Sequence, residues 1–263
     1  GTNGLVPCGT TGEAATLSYD EHDRVIELTI EVSAGRVPVT AGTGSNSTAE
    51  TILLTKHAKK AGADAALLIT PYYNKPTQQG LYEHYRKIAE EVDIPVVLYN
   101  VPGRTSVNML PETVARLSEI GNIVGIKEAT GNLQQVSDVI EFSRKGFIVL
   151  SGDDFTTLPL LAIGGHGVIS VTSNVAPKEM SRMVNAFLAG DVDEAKALHF
   201  RLQALHRAMF LETNPIPVKT ALAIMGLLRE EFRLPLTRMS EGAREKLAGT
   251  LKAYGIGNQR SSI

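Results

Sequence analysis

"NIVGIKEATGN", residues 122–132, sets an apolar run, two charges and a turn side by side. Ile123, Val124 and Ile126 show no alternation with polar residues, which predicts a strand covered on both faces. Thr130-Gly131-Asn132 has the composition of a turn. Between run and turn stand Lys127 and Glu128. A lysine is rarely fully buried unless paired. Glu128, one residue on, faces the opposite side of a strand and makes a poor partner. The strand therefore ends on an ammonium group that needs another explanation.

Outward from this stretch the same order repeats: an apolar run, a turn rich in Gly, Thr, Asn or Pro, then an amphipathic helix. Candidate strands are residues 5–8, 37–41, 65–70, 94–100, 123–128, 147–152 and 168–172. Most start about 25–30 residues apart, the length of a strand-helix unit. This alternation predicts an α/β protein with a parallel sheet under helices. Ser18 to Glu21 and Ser47 to Glu50 have the capping-box pattern at helix starts. Pro111 suits a first helical position, and Gly35 and Gly62 sit where helices should stop. The helix over 20–34 is expected to turn Val25, Ile26, Leu28 and Val32 to a core. After Thr172 only helices are expected, over 177–188, 192–211, 217–225 and 240–254, followed by a loose tail at 257–263. Seven units is one short of a closed (β/α)8 TIM barrel. The expectation is such a barrel over residues 1–190, lacking its first strand-helix unit, with a C-terminal helical domain over 191–263. An open doubly wound sheet is the alternative, against which stand the even spacing and the lack of a dinucleotide fingerprint.

Composition narrows the function classes. The 263 residues are 43% hydrophobic and 21% charged with a formal net charge of −2, which gives no global basic field for nucleic acid or an anionic membrane. Trp is absent and aromatics make up 5%, which argues against stacking platforms for single strands. Cys8 is the one cysteine, so an intrachain disulfide and a CxxC site are excluded. No apolar run has the length of a membrane span, and the start has no signal-peptide pattern. The histidines at 22, 57, 84, 166, 199 and 206 lack metal-ligand spacing, and neither a metal nor a cofactor is expected. Gly42-Thr43-Gly44 lacks the ending of a phosphate loop and reads as a tight turn.

In a barrel, chemistry sits at the carboxyl ends of the strands. Those ends carry Thr10-Thr11-Gly12-Glu13, Thr43 to Ser47, Tyr72-Tyr73, Tyr99 to Thr105, Lys127, Asp153-Asp154 and Ile169 to Thr172. A barrel-mouth lysine among apolar residues should have a depressed pKa, and a neutral amine attacks ketones to form a Schiff base. Tyr and Thr hydroxyls can relay protons, Arg104 can clamp a carboxylate, and Thr10 and Thr11 with nearby backbone N–H groups can hold another. Each residue also has a plain reading. Lys127 could be a snorkelling surface lysine. Tyr72-Tyr73 could be a packed loop, and Asp153-Asp154 could cap a helix. Lys219 is a rival amine, but it lies in the helical tail and reads as structural.

The motifs "GTTGE" (9–13), "TPYYN" (70–74), "YNVPGRT" (99–105), "GIKEATGN" (125–132), "LSGDD" (150–154), "GVISVTSN" (167–174) and "NPIPVK" (214–219) resemble those of the dihydrodipicolinate synthase family. The resemblance spans the chain. It implies an eight-unit barrel with a helical C-terminal domain, a homodimer or homotetramer, and no cofactor. The implied reaction joins pyruvate and aspartate semialdehyde in lysine and diaminopimelate biosynthesis, by default in a cytoplasm. Lys127 would form the imine, and Tyr99 would relay protons with Thr11 and Tyr73. Tyr73 would reach into a neighbouring subunit. Thr10 and Thr11 would hold pyruvate's carboxylate, Arg104 that of the semialdehyde, and Ile169 would line the site with its carbonyl. His22, Asn46, Glu50 and Tyr72 match a lysine-inhibitor site, although Ala14 stands where serine is common and Tyr19 where histidine is common. A sister pyruvate-dependent aldolase, or a barrel that only binds a small carboxylate, stays open at this level. Arg104 and the second threonine of "GTTGE" favour the synthase over the sister aldolases.

Overall fold

The computed structural model describes residues 1–256; the tail expected at 257–263 lies outside them. The chain divides into two compact units. One comprises residues 3–9 and 17–169, and the other residues 1–2, 10–16 and 170 onward.

The first unit is an α/β structure. Its strands are β1 (Thr40–Gly42), β2 (Ala65–Ile69), β3 (Val96–Asn100), β4 (Ile123–Glu128), β5 (Ile148–Ser151) and β6 (Gly167–Val168). They form one parallel sheet in sequence order. Helices separate them: α1 (Tyr19–Ser33) before β1, then α2 (Thr48–Ala61), α3 (Gln78–Glu91), α4 (Pro102–Thr105), α5 (Pro111–Ser118), α6 (Leu133–Phe142) and α7 (Thr157–Ala162). Strictly consecutive parallel pairing is the arrangement of a barrel wall, each strand returning through a helix on one face.

Both faces of the sheet are covered. One packs Ala66, Leu68, Val96, Leu98, Ile123 and Ile126 against Leu81, Tyr85 and Ile88 of α3, Val114 and Leu117 of α5, and Val136 and Val139 of α6. The other gathers Leu67, Val97, Tyr99 and Val101 with Ile69, Val124 and Ile169. Helix α1 starts at a full capping box, with Ser18 accepting from Glu21 and Glu21 from Ser18. Helix α2 has half of one: Ser47 Oγ accepts from the Glu50 N–H, while the Glu50 carboxylate bonds to Ser45 and Tyr19 instead.

Several expectations need correction. Residues 5–8 make no named strand, only a bridge from Leu5 to Val39. Pro7 has no N–H to donate, and Cys8 turns into the left-handed region at φ 55°. The strand expected over 37–41 starts at Thr40, because Pro38 lacks a donor and the Val39 N–H is taken by the Asp64 side chain at 2.7 Å. The strand expected over 168–172 is Gly167–Val168, and the chain beyond it enters a 3-10 turn at Thr172–Asn174. On α1, only Ile26 of the four expected core residues is buried; Val25, Leu28 and Val32 are exposed. Spacing placed the apolar stripe on α1 but could not show which part of it a neighbour covers.

The second unit is helical: α8 (Pro177–Leu188), α9 (Val192–Ala208), α10 (Ile216–Ile224) and α11 (Glu241–Tyr254). Helix α9 packs on α8 and α11, and α11 on α10. Among the described residues no helix is long and apolar enough to cross a membrane.

Candidate active site

The position of Lys127 is set by a flaw in the strand. Val96 pairs with Ile123, but Val97 pairs with Gly125, so β4 carries one extra residue, Val124. Side chains alternate along a strand, and an inserted residue reverses the faces of everything after it. That is why Ile123 and Ile126 share the helix-covered face although they are three apart, while Val124 packs on the other. Lys127 consequently pairs with Tyr99, on the Tyr99 side of the sheet, and Glu128 pairs with Asn100 on the helix side. Gly125 permits the bulge, since a Cβ there would stand 2.5 Å from the Ile148 carbonyl. The isolated glycine in "IVGIK" was the available signal for this bulge, and the reading of the sequence missed it.

Lys127 lies across its neighbour: its Nζ is 4.2 Å from the centre of the Tyr99 ring. The alkyl stem runs beside Gly152, where a Cβ would stand 2.9 Å from Lys127 Cε and 2.7 Å from Ala129 Cβ. Only glycine leaves that stem its path. Lys127 keeps some accessible surface, yet protein surrounds it closely enough that desolvation pulls its pKa from 10.5 to about 8. The Asp154 carboxylate opposes this shift and the Arg104 guanidinium reinforces it. The amine is thus divided between its two protonation states near neutral pH.

The adjacent acids have different jobs. Asp153 is a local cap, accepting from the Phe155 N–H at 3.2 Å and the Thr156 hydroxyl at 3.0 Å. Asp154 is buried and is the one whose charge acts on Lys127. Glu128, also buried, accepts from the Thr130 N–H at 2.7 Å and from Asn100 Nδ2 at 3.1 Å. Burial pushes its pKa up, against those hydrogen bonds. Asn100 Oδ1 accepts in turn from the Met109 N–H at 3.0 Å. This network ties the exits of β3 and β4 together behind Tyr99 and Lys127.

Arg104 is exposed on α4, after β3. Ile169 continues the β6 ladder, its N–H donating to the Ser151 carbonyl at 2.9 Å. Tyr73 is 89% exposed, with left-handed backbone at φ 70°. The four residues matched to an inhibitor site also lie in this unit. His22 is buried with Nε2 2.8 Å from the Gly42 carbonyl, and the Asn46 carbonyl accepts from Asn74 at 3.0 Å. Glu50 bonds to Ser45 and, at 2.5 Å, to the Tyr19 hydroxyl, which lower its pKa, while Tyr72 is exposed.

Thr10 and Thr11 belong to the helical unit, in a 3-10 turn over Thr10–Gly12. There Asn214 Nδ2 donates to Thr11 Oγ1 at 3.0 Å. In the same unit Lys219, the rival amine, pairs with the Glu13 carboxylate and donates to the Glu231 carbonyl at 2.6 Å. An ammonium held this way is a structural cation, not a nucleophile.

Comparison with known proteins points to one family. A family model described as the dihydrodipicolinate synthetase family matches residues 1–254. The 4-hydroxy-tetrahydrodipicolinate synthase of Thermodesulfovibrio yellowstonii is 62% identical over 256 residues, 97% of this chain and 88% of that protein. The chloride-inhibited dihydrodipicolinate synthase of Acinetobacter baumannii, solved in complex with pyruvate, is 54% identical, with a TM-score of 0.95 over 97% of this chain and 88% of that one. The enzyme of Cyanidioschyzon merolae, solved with lysine bound, is 43% identical, with a TM-score of 0.94 over 97% and 87%.

Proposed function

The chain belongs to the dihydrodipicolinate synthetase family, and on that premise we propose that it condenses pyruvate with aspartate semialdehyde through an imine on Lys127. It is a lyase of lysine and diaminopimelate biosynthesis, its sheet part of a (β/α)8 barrel. The observation that carries the assignment of Lys127 is an amine with a pKa brought to about 8 beside a buried phenol.

The neutral Lys127 amine attacks the keto carbon of pyruvate, and water leaves to give the imine. The cationic nitrogen then draws electrons from the methyl carbon, which loses a proton to become an enamine. That carbon attacks the semialdehyde's carbonyl carbon, forming the new carbon–carbon bond. The amino group of the adduct finally displaces Lys127 and closes the ring. Tyr99 is the proton relay nearest the amine, with Thr11 and Tyr73 as its further members. Thr10 and Thr11 hold pyruvate's carboxylate, Arg104 holds that of the semialdehyde, and the Ile169 carbonyl lines the site. The exposure of Tyr73 supports its service to a neighbouring copy in a homodimer or homotetramer. His22, Asn46, Glu50 and Tyr72 form the proposed lysine-inhibitor site. A lysine ammonium approaching Glu50 would compete with the Ser45 and Tyr19 hydroxyls already bonded there. Placement in the cytoplasm goes with the reading.

Incubation with pyruvate and borohydride is expected to fix one pyruvate-derived group on Lys127, seen by intact mass and peptide mapping. Labelling elsewhere, or none in folded protein, would sink the assignment. The charge around Lys127 makes a second, signed prediction. Because the Asp154 carboxylate holds the amine's pKa up, Asp154→Asn should move the midpoint of imine formation below that of the parent. The variant should therefore gain relative rate on the acid side. A midpoint unmoved or raised would remove Asp154 from this role.

A further inference from the structure

The segment from Asn214 to Lys219 takes no part in the bond-making steps above, yet two of its side chains end on the Thr10–Glu13 turn. Asn214 bonds to Thr11. Lys219 pairs with Glu13, their side chains only 21% and 11% exposed. The pair is enclosed further: Lys219 donates to the Glu231 carbonyl, its Nζ lies 4.9 Å from the Phe232 ring, and Glu13 Oε1 accepts from the Arg233 N–H at 3.3 Å. Arg233 also donates to the Thr16 carbonyl at 3.1 Å, on the far side of the turn.

The turn needs such fixing. Its three-residue 3-10 helix has no ladder to stiffen it, and Glu13 closes it at φ 54°. A non-glycine residue stays in the left-handed region only where its surroundings over-determine it. Here the Glu13 N–H bonds to the Thr10 carbonyl at 3.1 Å while its carboxylate is anchored on Lys219. Glu13, held in this way, lies two residues from Thr11 and three from Thr10.

We propose that Glu13 and Lys219 are a positioning pair that fixes Thr10 and Thr11 for the carboxylate of pyruvate, so that the segment before and within α10 sets the affinity for the keto acid. This rests on the reading that those threonines hold that carboxylate. A hydrogen-bonded anion site tolerates little displacement, because its donors must meet fixed oxygens at fixed angles. Loosening the turn should therefore weaken capture of pyruvate most, with a smaller loss at saturation through Thr11's place in the proton relay.

The test uses the full chain, pyruvate alone and reductive trapping on Lys127, with the trapping rate followed against pyruvate concentration. Glu13→Gln and Lys219→Met should each raise the half-saturating concentration about tenfold, while the saturating rate falls by clearly less than that and its pH midpoint, set at Lys127, does not move. The double variant should be no worse than the poorer single one, since both changes disable one unit. If Lys219→Met fails to fold, with Glu13 left unpaired, Glu13→Gln and the double variant still decide. Unchanged half-saturation in folded Glu13→Gln, or losses that multiply in the double variant, would overturn the pair's role. Thr10→Val tests the premise separately: if it leaves half-saturation unchanged, the carboxylate reading fails, whatever the pair does.

Discussion

Lys127→Met is expected to abolish pyruvate-dependent labelling and to lower the condensation rate by on the order of 10⁴-fold or more, as removal of a covalent nucleophile does. It should do so without unfolding the protein. Methionine preserves an unbranched stem, which the space beside Gly152 requires. It also removes a cation whose pKa burial has already pulled down, so the charged form is a burden on the fold and not a support. The thermal midpoint should be no lower than the parent's, and the far-ultraviolet spectrum unchanged. A variant that folds and still turns over at a comparable rate would show that the reaction does not pass through this amine. A variant that is inactive because it is unfolded would instead make Lys127 a structural cation, and the depressed pKa would have no catalytic meaning.

Much of this is legible in the sequence. The repeating order of apolar run, turn and helix predicted a parallel sheet between helices, because strands covered on both faces lose the polar alternation of a strand with one wet face. The strand over 123–128 and the helix over 177–188 fell where the pattern put them. Lys127 was singled out by a simple mismatch between an apolar strand and its last charge. The rest depended on facts that spacing does not encode. Pro7 and Pro38 remove ladder donors, which shortened or dissolved strands whose hydrophobicity looked sufficient. The bulge at Val124 decides which face Lys127 takes, and a one-residue insertion is silent in any count of apolar residues. Asp153 and Asp154 are chemically identical neighbours; only burial separates the helix cap from the charge that acts on the amine. Lys219 and Glu13 are 206 positions apart, and nothing local in either stretch announces their pairing.

Tyr99→Phe should separate catalysis from packing most sharply. The ring itself is part of the core on the Lys127 side of the sheet, against Leu67, Val97 and Val101, and Lys127 Nζ sits over its face. Phenylalanine keeps that surface and that cation–π contact, so the fold and the placement of the amine should survive. What is lost is one hydroxyl, the group proposed to pass protons as the imine forms, becomes an enamine and is released. Loss of a positioned proton relay costs about 10²–10⁴-fold, and the fall here is expected in kcat, at the lower end of that range if water substitutes in part. Pyruvate should still be trapped on Lys127 when borohydride and time are in excess, but more slowly. The half-saturating pyruvate concentration should change little, because the proposed role of the hydroxyl is toward the reacting atoms and not the carboxylate. If activity falls only in proportion to the fraction of protein that is folded, Tyr99 is packing alone. The proton path would then have to begin at another hydroxyl, with Thr11 and Tyr73 the next to test.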